Sequence, residues 1–317
     1  MARNTDIEQI LFPVELRPVY VDGSKHPTKG YKAVVGTFNN SGYLFREEQV
    51  LSIVTDNYVL IPNKVALEMA IDIHSRLFPG GTSDSFEIFN IITPSTMGSC
   101  HIDIIDKNYT LNILKQEVYV PFVRIQNSYN KTMPLRFLVG FCRSICSNGV
   151  IFDDNSISIN LPHTKSHFNS FNIDNIDTKW LKKFEADFIN KTNKADKITI
   201  PEKVFVPLAA KALNLQFTFD EKDTYKNALV KEKLEQFTHI MQEYTDRYVR
   251  KEKFGETAYA FFNVITDYAS NYPHLQARST HTMQNRCGNW LSEFCQRQHG
   301  RSIDWKEELR GYEQLIK

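Results

Sequence analysis

The sequence predicts an α+β fold: an N-terminal, largely antiparallel sheet region with one inserted helix (residues 1–165), followed by a mainly helical region (166–317). Three observations predict it. Apolar residues recur with period two through most of the first half and at helical spacing through the second. The change of period coincides with His163–Asn175, a stretch rich in Ser, Asn and His of the kind that connects elements. Hydrophobic residues make up 42% and aromatics 12%, which supplies a sizeable core and argues against extended disorder. The two regions could pack as one domain.

In the first half, alternation or short apolar runs place strands at Val14–Val21, Lys32–Thr37, Val50–Val54, Tyr58–Ile61, Phe86–Ile92, His101–Ile105 and Tyr109–Leu114. One helix interrupts them. Asn63 can cap it after Pro62, Val65, Met69, Ile73 and Leu77 repeat at helical spacing, and Pro79-Gly80 ends it. Beyond the boundary, helices are predicted at Thr178–Asn190, Glu202–Leu213, Asp223–Lys253, Glu256–Ser270, Thr280–Gln298 and Asp304–Ile316. The long helix carries an apolar seam through Leu229, Leu234, Phe237, Ile240, Met241, Tyr244 and Tyr248 that could pair with a partner helix. Its cationic end, Arg247, Arg250, Lys251 and Lys253, offsets the helix dipole and needs no ligand.

Composition excludes several classes. A net charge of +1 excludes a grip on nucleic acid by bulk charge alone, leaving local patches. The polar start, Met1 to Gln9, does not read as a secretory signal, and no apolar run has membrane-spanning length, so no membrane partner is expected. Five cysteines without framework spacing fit free thiols and a cytoplasmic setting. Neither a phosphate-cradling glycine loop nor a GxSxG elbow nor HExxH occurs, so no catalytic residue and no cofactor is assigned.

The basic stretch Val118–Phe152 holds Arg124, Lys131, Arg136 and Arg143 and no acid. It reads as a hairpin of Tyr119–Gln126 and Leu135–Ile145, with a second turn at Ser147-Asn148-Gly149 leading into Val150–Phe152. Val123, Ile125, Leu135, Phe137, Val139 and Phe141 share the core parity. Arg124 and Arg136 share the other and, with the turn centred near Asn130, sit almost opposite each other. Opposed like charges destabilise a sheet unless an anion sits between them or both find water or acids elsewhere. His101 and Asp103 share one strand face, without a partner pair evident in the sequence.

The runs Pro121-Phe122-Val123-Arg124-Ile125-Gln126-Asn127-Ser128-Tyr129, Leu135-Arg136-Phe137 and Gly140-Phe141-Cys142-Arg143-Ser144-Ile145-Cys146-Ser147-Asn148-Gly149 resemble a known signature. It is that of the family called domain of unknown function 932, common in phages and plasmids. Asp56–Asn63 and Thr257–Tyr268 resemble its early strand and late helix, so the likeness spans roughly residues 50–300. In the turn, Tyr129-Asn130-Lys131 replaces the family's Asp-Gly pair. The resemblance implies a mobile-element setting and no reaction. Some members are suspected relatives of single-strand annealing proteins, which combine a curved sheet with helices.

Two further groups matter. His281, Cys287, Cys295 and His299 lack a CxxC pair, and Cys142 and Cys146 are too far apart along a strand to share a metal, so no metal site is assigned. Tyr272–Arg301 carries Arg278, Arg286, Arg297 and Arg301 against one acid, interleaved with Trp290 and Phe294. The aromatics suit a buried helical stripe, leaving the arginines for an anion. The expected binding residues are therefore Arg124, Asn127, Lys131, Arg136, Arg143, Arg278 and Arg286. The expected function is single-stranded nucleic-acid binding or annealing in phage or plasmid DNA metabolism, without catalysis. The alternative is a counter-defence or regulatory protein that occupies a host protein. A homo-oligomer suits both.

Overall fold

The computed structural model describes residues 7–39, 46–78, 85–94, 96–114, 117–144, 148–151, 158–170, 172, 174, 179–219, 223–271, 277–298 and 302–315. The fold is α+β, with strands concentrated in the first half and helices in the second. Two compact units interleave along the chain. Unit 1 comprises Met1–Thr110, Val120–Gly140 and Ser156–Leu181; unit 2 comprises Leu111–Tyr119, Phe141–Asn155 and Lys182–Lys317. The period changes near residue 165, but the units exchange segments at the hairpin, whose tip belongs to unit 1 and whose root belongs to unit 2.

Unit 1 opens with a short helix α1 (Ile7–Ile10) and an antiparallel sheet of β1 (Val14–Pro18), β2 (Tyr31–Asn39) and β3 (Arg46–Thr55), in that order. A bulge between Val34 and Val35 shifts the β2–β3 register. Phe12, Val34, Val54, Tyr58 and Tyr129 form a buried cluster beneath it. Helix α2 (Asn63–Leu77) follows, burying Ala66, Ala70, Ile73 and Leu77. Pro62 takes the N-cap position, and the Tyr129 hydroxyl accepts the Asn63 N–H at 2.8 Å. Asn63 was expected to cap the helix; instead its side-chain amide donates to the Ile10 carbonyl.

The second sheet contains β4 (Phe86–Ile92), β5 (Ser99–Asp106), β6 (Leu111–Ile113), β7 (Glu117–Ser128), β8 (Leu135–Arg143), β9 (Gly149–Ile151) and β10 (Ser158–Leu161). Its order is β10-β8-β7-β5-β4, with β6 paired to β7 and β9 to β8. From Tyr119 to Ser128 β7 is buried at every position, so both faces of the hairpin are covered and strand parity does not separate core from solvent. The segment Tyr58–Ile61 is not a strand. Tyr58 makes only an isolated bridge to Thr164, and Val59 N–H bonds the His163 carbonyl. A short helix α3 (Lys165–Ser170) occupies the stretch expected to be a connecting loop.

In unit 2, Phe184 and Phe188 of α4 (Lys179–Ala195) stack on Phe141 at 4.8 and 4.5 Å. A 3₁₀ turn at Glu202–Val204 leads into α5 (Phe205–Ala212). Helix α6 (Thr224–Thr245), capped by the Asp223 carboxylate on Lys226 N–H, passes into a π-helical turn at Asp246–Lys251 rather than continuing as one α-helix. Helix α7 (Ala258–Asn271) is buried from Ala258 through Ala269, which explains why its sequence is apolar around nearly its whole circumference. Helix α8 (Ala277–Arg297), α9 (Trp305–Glu308) and a 3₁₀ turn at Glu313–Leu315 complete the unit. Among the described residues no helix is long and apolar enough to cross a membrane.

Candidate nucleic-acid interface

Two of the hairpin arginines, Arg124 and Arg143, are turned inward, and Arg136 is half-buried. Arg124 stands across from Asp103 of β5 and is fully buried. Its Nε and Nη2 donate to the two carboxylate oxygens of Asp103 at 2.6 and 2.7 Å, a bidentate pair. Arg136 stands across from Asn160 of β10 and donates to its Oδ1. Each arginine thus finds its partner on the strand beyond the hairpin, and the expected need for an anion between them does not arise. His101, on the same face as Asp103, lies across from Gln126.

Asn127 is also internal: its amide donates to the Ile61 carbonyl and Asn63 Oδ1, tying β7 to the start of α2. In the turn, Lys131 has a left-handed backbone (φ 60°) and an exposed side chain. Ser128 Oγ closes the turn by donating to the Met133 carbonyl and accepting its N–H.

In unit 2, Arg143 is 1% exposed and binds Glu117 and Glu252, with its guanidinium 5.0 Å from the centre of the Phe254 ring. Glu117 lies one residue outside the acid-free stretch, and Glu252 arrives from the π-helical turn. Around this group, Asn148 donates to Tyr248 Oη at 2.7 Å and Tyr248 Oη donates to Asp267. Asn271 donates to Asn148 Oδ1 and Asp267 Oδ1, and Gly149 N–H donates to Ser270 Oγ. The Arg, Asn and Gly of the signature therefore lock onto α7 and the π turn. Their role here is architectural, since buried polar groups of this kind must be paired to be tolerated.

Arg286 donates to the Leu213 carbonyl at 2.6 Å, holding α8 to the end of α5. The side chain of Arg278 lies outside the described residues, as do Cys146, His299 and Arg301. Cys142, Cys287 and Cys295 are buried and form no disulfide. Burial raises the Cys295 thiol to about 11, against the opposing pull of Lys194 and Lys191, so it stays protonated at neutral pH. Among the described residues no group of three or more His, Cys, Asp and Glu side chains could hold a metal.

An exposed cationic feature lies elsewhere, at the end of α4 and just past it. Lys191, Lys194 and Lys197 recur every three residues and line a cleft of about 530 Å³ with Asp187, Ser292 and Gln296. A second hollow of about 420 Å³ shares Lys194 and Lys197 with it and adds Thr199, Gln298 and Ser302. Lys191 reaches Asp187 at 3.4 Å, while Lys194 and Lys197 are exposed. One lysine in a last turn offsets the helix dipole. Three along one cleft with a single carboxylate exceed that need. The signal is present in the sequence as Lys191-x-x-Lys194-x-x-Lys197, but the three straddle the helix end, so no single helical face marks them as a group.

No curated protein and no solved structure matches the chain. Residues 104–289, more than half of it, match the family model described as Domain of unknown function (DUF932), and the chain belongs to that family.

Proposed function

We propose that the protein binds single-stranded DNA through the lysine cleft of unit 2, without making or breaking covalent bonds, in the DNA metabolism of a phage or plasmid. The cleft carries this reading: exposed Lys194 and Lys197 stand beside polar, neutral side chains that suit a phosphate backbone, while Lys191 engages Asp187. In unit 1, exposed Lys131 and half-buried Arg136 are the hairpin cations that remain available, since Arg124 and Arg143 already carry their carboxylates.

A salt series with a labelled single-stranded oligonucleotide tests the reading. Two phosphate contacts, from Lys194 and Lys197, give a slope of log K against log salt of about −1.4, at roughly −0.7 per contact. A flat response, or no binding at about 50 mM salt, removes it.

A second reading rests on α6. Tyr225 and Leu229, one turn apart on its first half, are 75% and 41% exposed. An apolar pair on a solvent-facing helix suits a partner helix, from a second copy or from a host protein. Light scattering reports the homo-oligomer, and a stoichiometric host partner that survives nuclease treatment supports the counter-defence reading.

A further inference from the structure

The tip of the hairpin in unit 1 borders a pocket of about 520 Å³ lined by Asn57, Tyr58, Lys131, Met133, His163 and Thr164, among others. Its volume falls in the ordinary range for small-molecule sites. The walls are braced. Tyr58 and His163 stack with ring centres 5.0 Å apart and planes at 16°. The Tyr58 hydroxyl donates to the Ser128 carbonyl, Tyr58 and Thr164 form a bridge, and Ser128 fixes Met133.

His163 is the unusual member. It is 8% exposed, and its Nδ1 sits 3.0 Å from the Val59 carbonyl, which places the proton on Nδ1. Nε2 is then an acceptor, and among the described residues it has no hydrogen-bond partner and is covered from solvent by its neighbours. Burial lowers the imidazole's affinity for a proton, so the neutral, accepting form is the one present at neutral pH. A buried acceptor without a donor costs stability until something supplies one.

We propose that this pocket takes one nucleobase of a single strand, held by ring contact with the Tyr58 and His163 wall, with Lys131 at the rim facing the attached phosphate; entry of the base parts the side chains that cover His163 Nε2 and lets a base N–H donate to it. The inference rests on the single-strand reading and sharpens it. A paired, stacked base must be pulled from its duplex before it can enter, at a cost of a few kcal/mol, whereas an unpaired base enters freely. The pocket would therefore supply the preference for single strands that lysine–phosphate contacts do not provide.

The probe is 2-aminopurine deoxyribonucleoside monophosphate, read by fluorescence at millimolar concentration with the full chain. Stacking quenches its emission, and the wild-type protein is expected to quench it saturably. Met133→Trp, which fills the pocket, abolishes the quench. His163→Phe keeps the ring and removes the acceptor, weakening binding about tenfold, the effect of one hydrogen bond. No saturable quench by the wild type, or a quench unchanged in both variants, overturns the pocket. The oligonucleotide salt series separates the two claims: salt-dependent oligonucleotide binding without monophosphate binding sinks the pocket and leaves the lysine cleft standing. Monophosphate binding that both variants weaken, with no oligonucleotide binding, sinks the strand reading and leaves a free-nucleotide site.

Discussion

Arg124 and Arg143 in the hairpin and Lys194 and Lys197 in the cleft carry the same formal charge and differ in everything else. The arginines are at most 1% exposed and are held by Asp103 or by Glu117 and Glu252. The lysines are exposed beside one carboxylate, which Lys191 already engages. Side-chain chemistry follows the division: a planar guanidinium matches a carboxylate fork and tolerates burial, whereas an ammonium keeps its water. A stretch without acids in sequence is therefore not a neighbourhood without acids in space. The countercharge of Arg124 comes from a strand 21 residues earlier, and half that of Arg143 from a turn 109 residues later.

The hardest test of that contrast is to strip a buried arginine of its charge. Arg124→Met leaves Asp103 buried and uncompensated and is expected to cost about 3–5 kcal/mol in urea unfolding. Adding Asp103→Leu should recover most of the loss, because a packed apolar pair can replace a buried ion pair. A single variant with near-wild-type stability would show that Arg124 is not internally compensated.

His74 extends the comparison to a buried base that the fold neutralises instead of pairing. It is fully buried on α2, and burial lowers its pKa to about 4, with the nearby Asp106 carboxylate pulling weakly the other way. The unfolded chain, titrating near 6.5, binds more protons between those values. Stability is thus complete above about 6.5 and falls as the pH drops toward 4, by at most about 3 kcal/mol. Urea midpoints at several pH values should follow that window, and His74→Phe should flatten it. His163 adds a contribution of the same sign, because burial lowers it too.

Removing the exposed lysines should do the reverse of removing Arg124. Lys194→Ala with Lys197→Ala is expected to move stability by no more than about 0.5 kcal/mol, the usual range for exposed positions. Its effect appears in fluorescence anisotropy with an oligonucleotide, where the salt slope should fall by about 1.4, or 0.7 for each phosphate contact. An unchanged slope would show that the cleft does not touch the backbone.

What the sequence made legible follows from how local the physics is. Phe86–Ile92 and the helix from Asn63 to Leu77 stand where alternation and punctuation put them, because both signals lie within a few residues. The helix is rolled slightly: Ala66 and Ala70 take the buried positions beside Ile73 and Leu77, and Val65 and Met69 flank them. The strand β10 is easily overlooked because Ser158-Ile159-Asn160-Leu161, though it alternates polar and apolar residues, is only four residues long, and its pairing with β8 is what secures it. His101 and Asp103 were visible as sharing a face, yet their partners Gln126 and Arg124 follow only from the β5–β7 register. The candidate site was legible as a surplus of cations and not as an address, since whether a cation is free depends on carboxylates brought in from other elements.

The smallest expected effect isolates conformation from charge at Lys131. Its φ of 60° is a backbone that a side chain enters at a cost of roughly 1 kcal/mol and glycine enters freely. Lys131→Ala keeps that strain, while Lys131→Gly relieves it and gives back part of the gain, about 0.5 kcal/mol or more, through a freer unfolded chain. Both remove the same ammonium group. The two variants should therefore weaken monophosphate binding equally, by a few-fold, while the glycine variant equals or exceeds the alanine variant in stability by less than about 1 kcal/mol. Unequal binding would mean that the shape of the turn, and not its charge, faces the ligand. That outcome would align the hairpin tip with the buried arginines behind it, as architecture rather than contact.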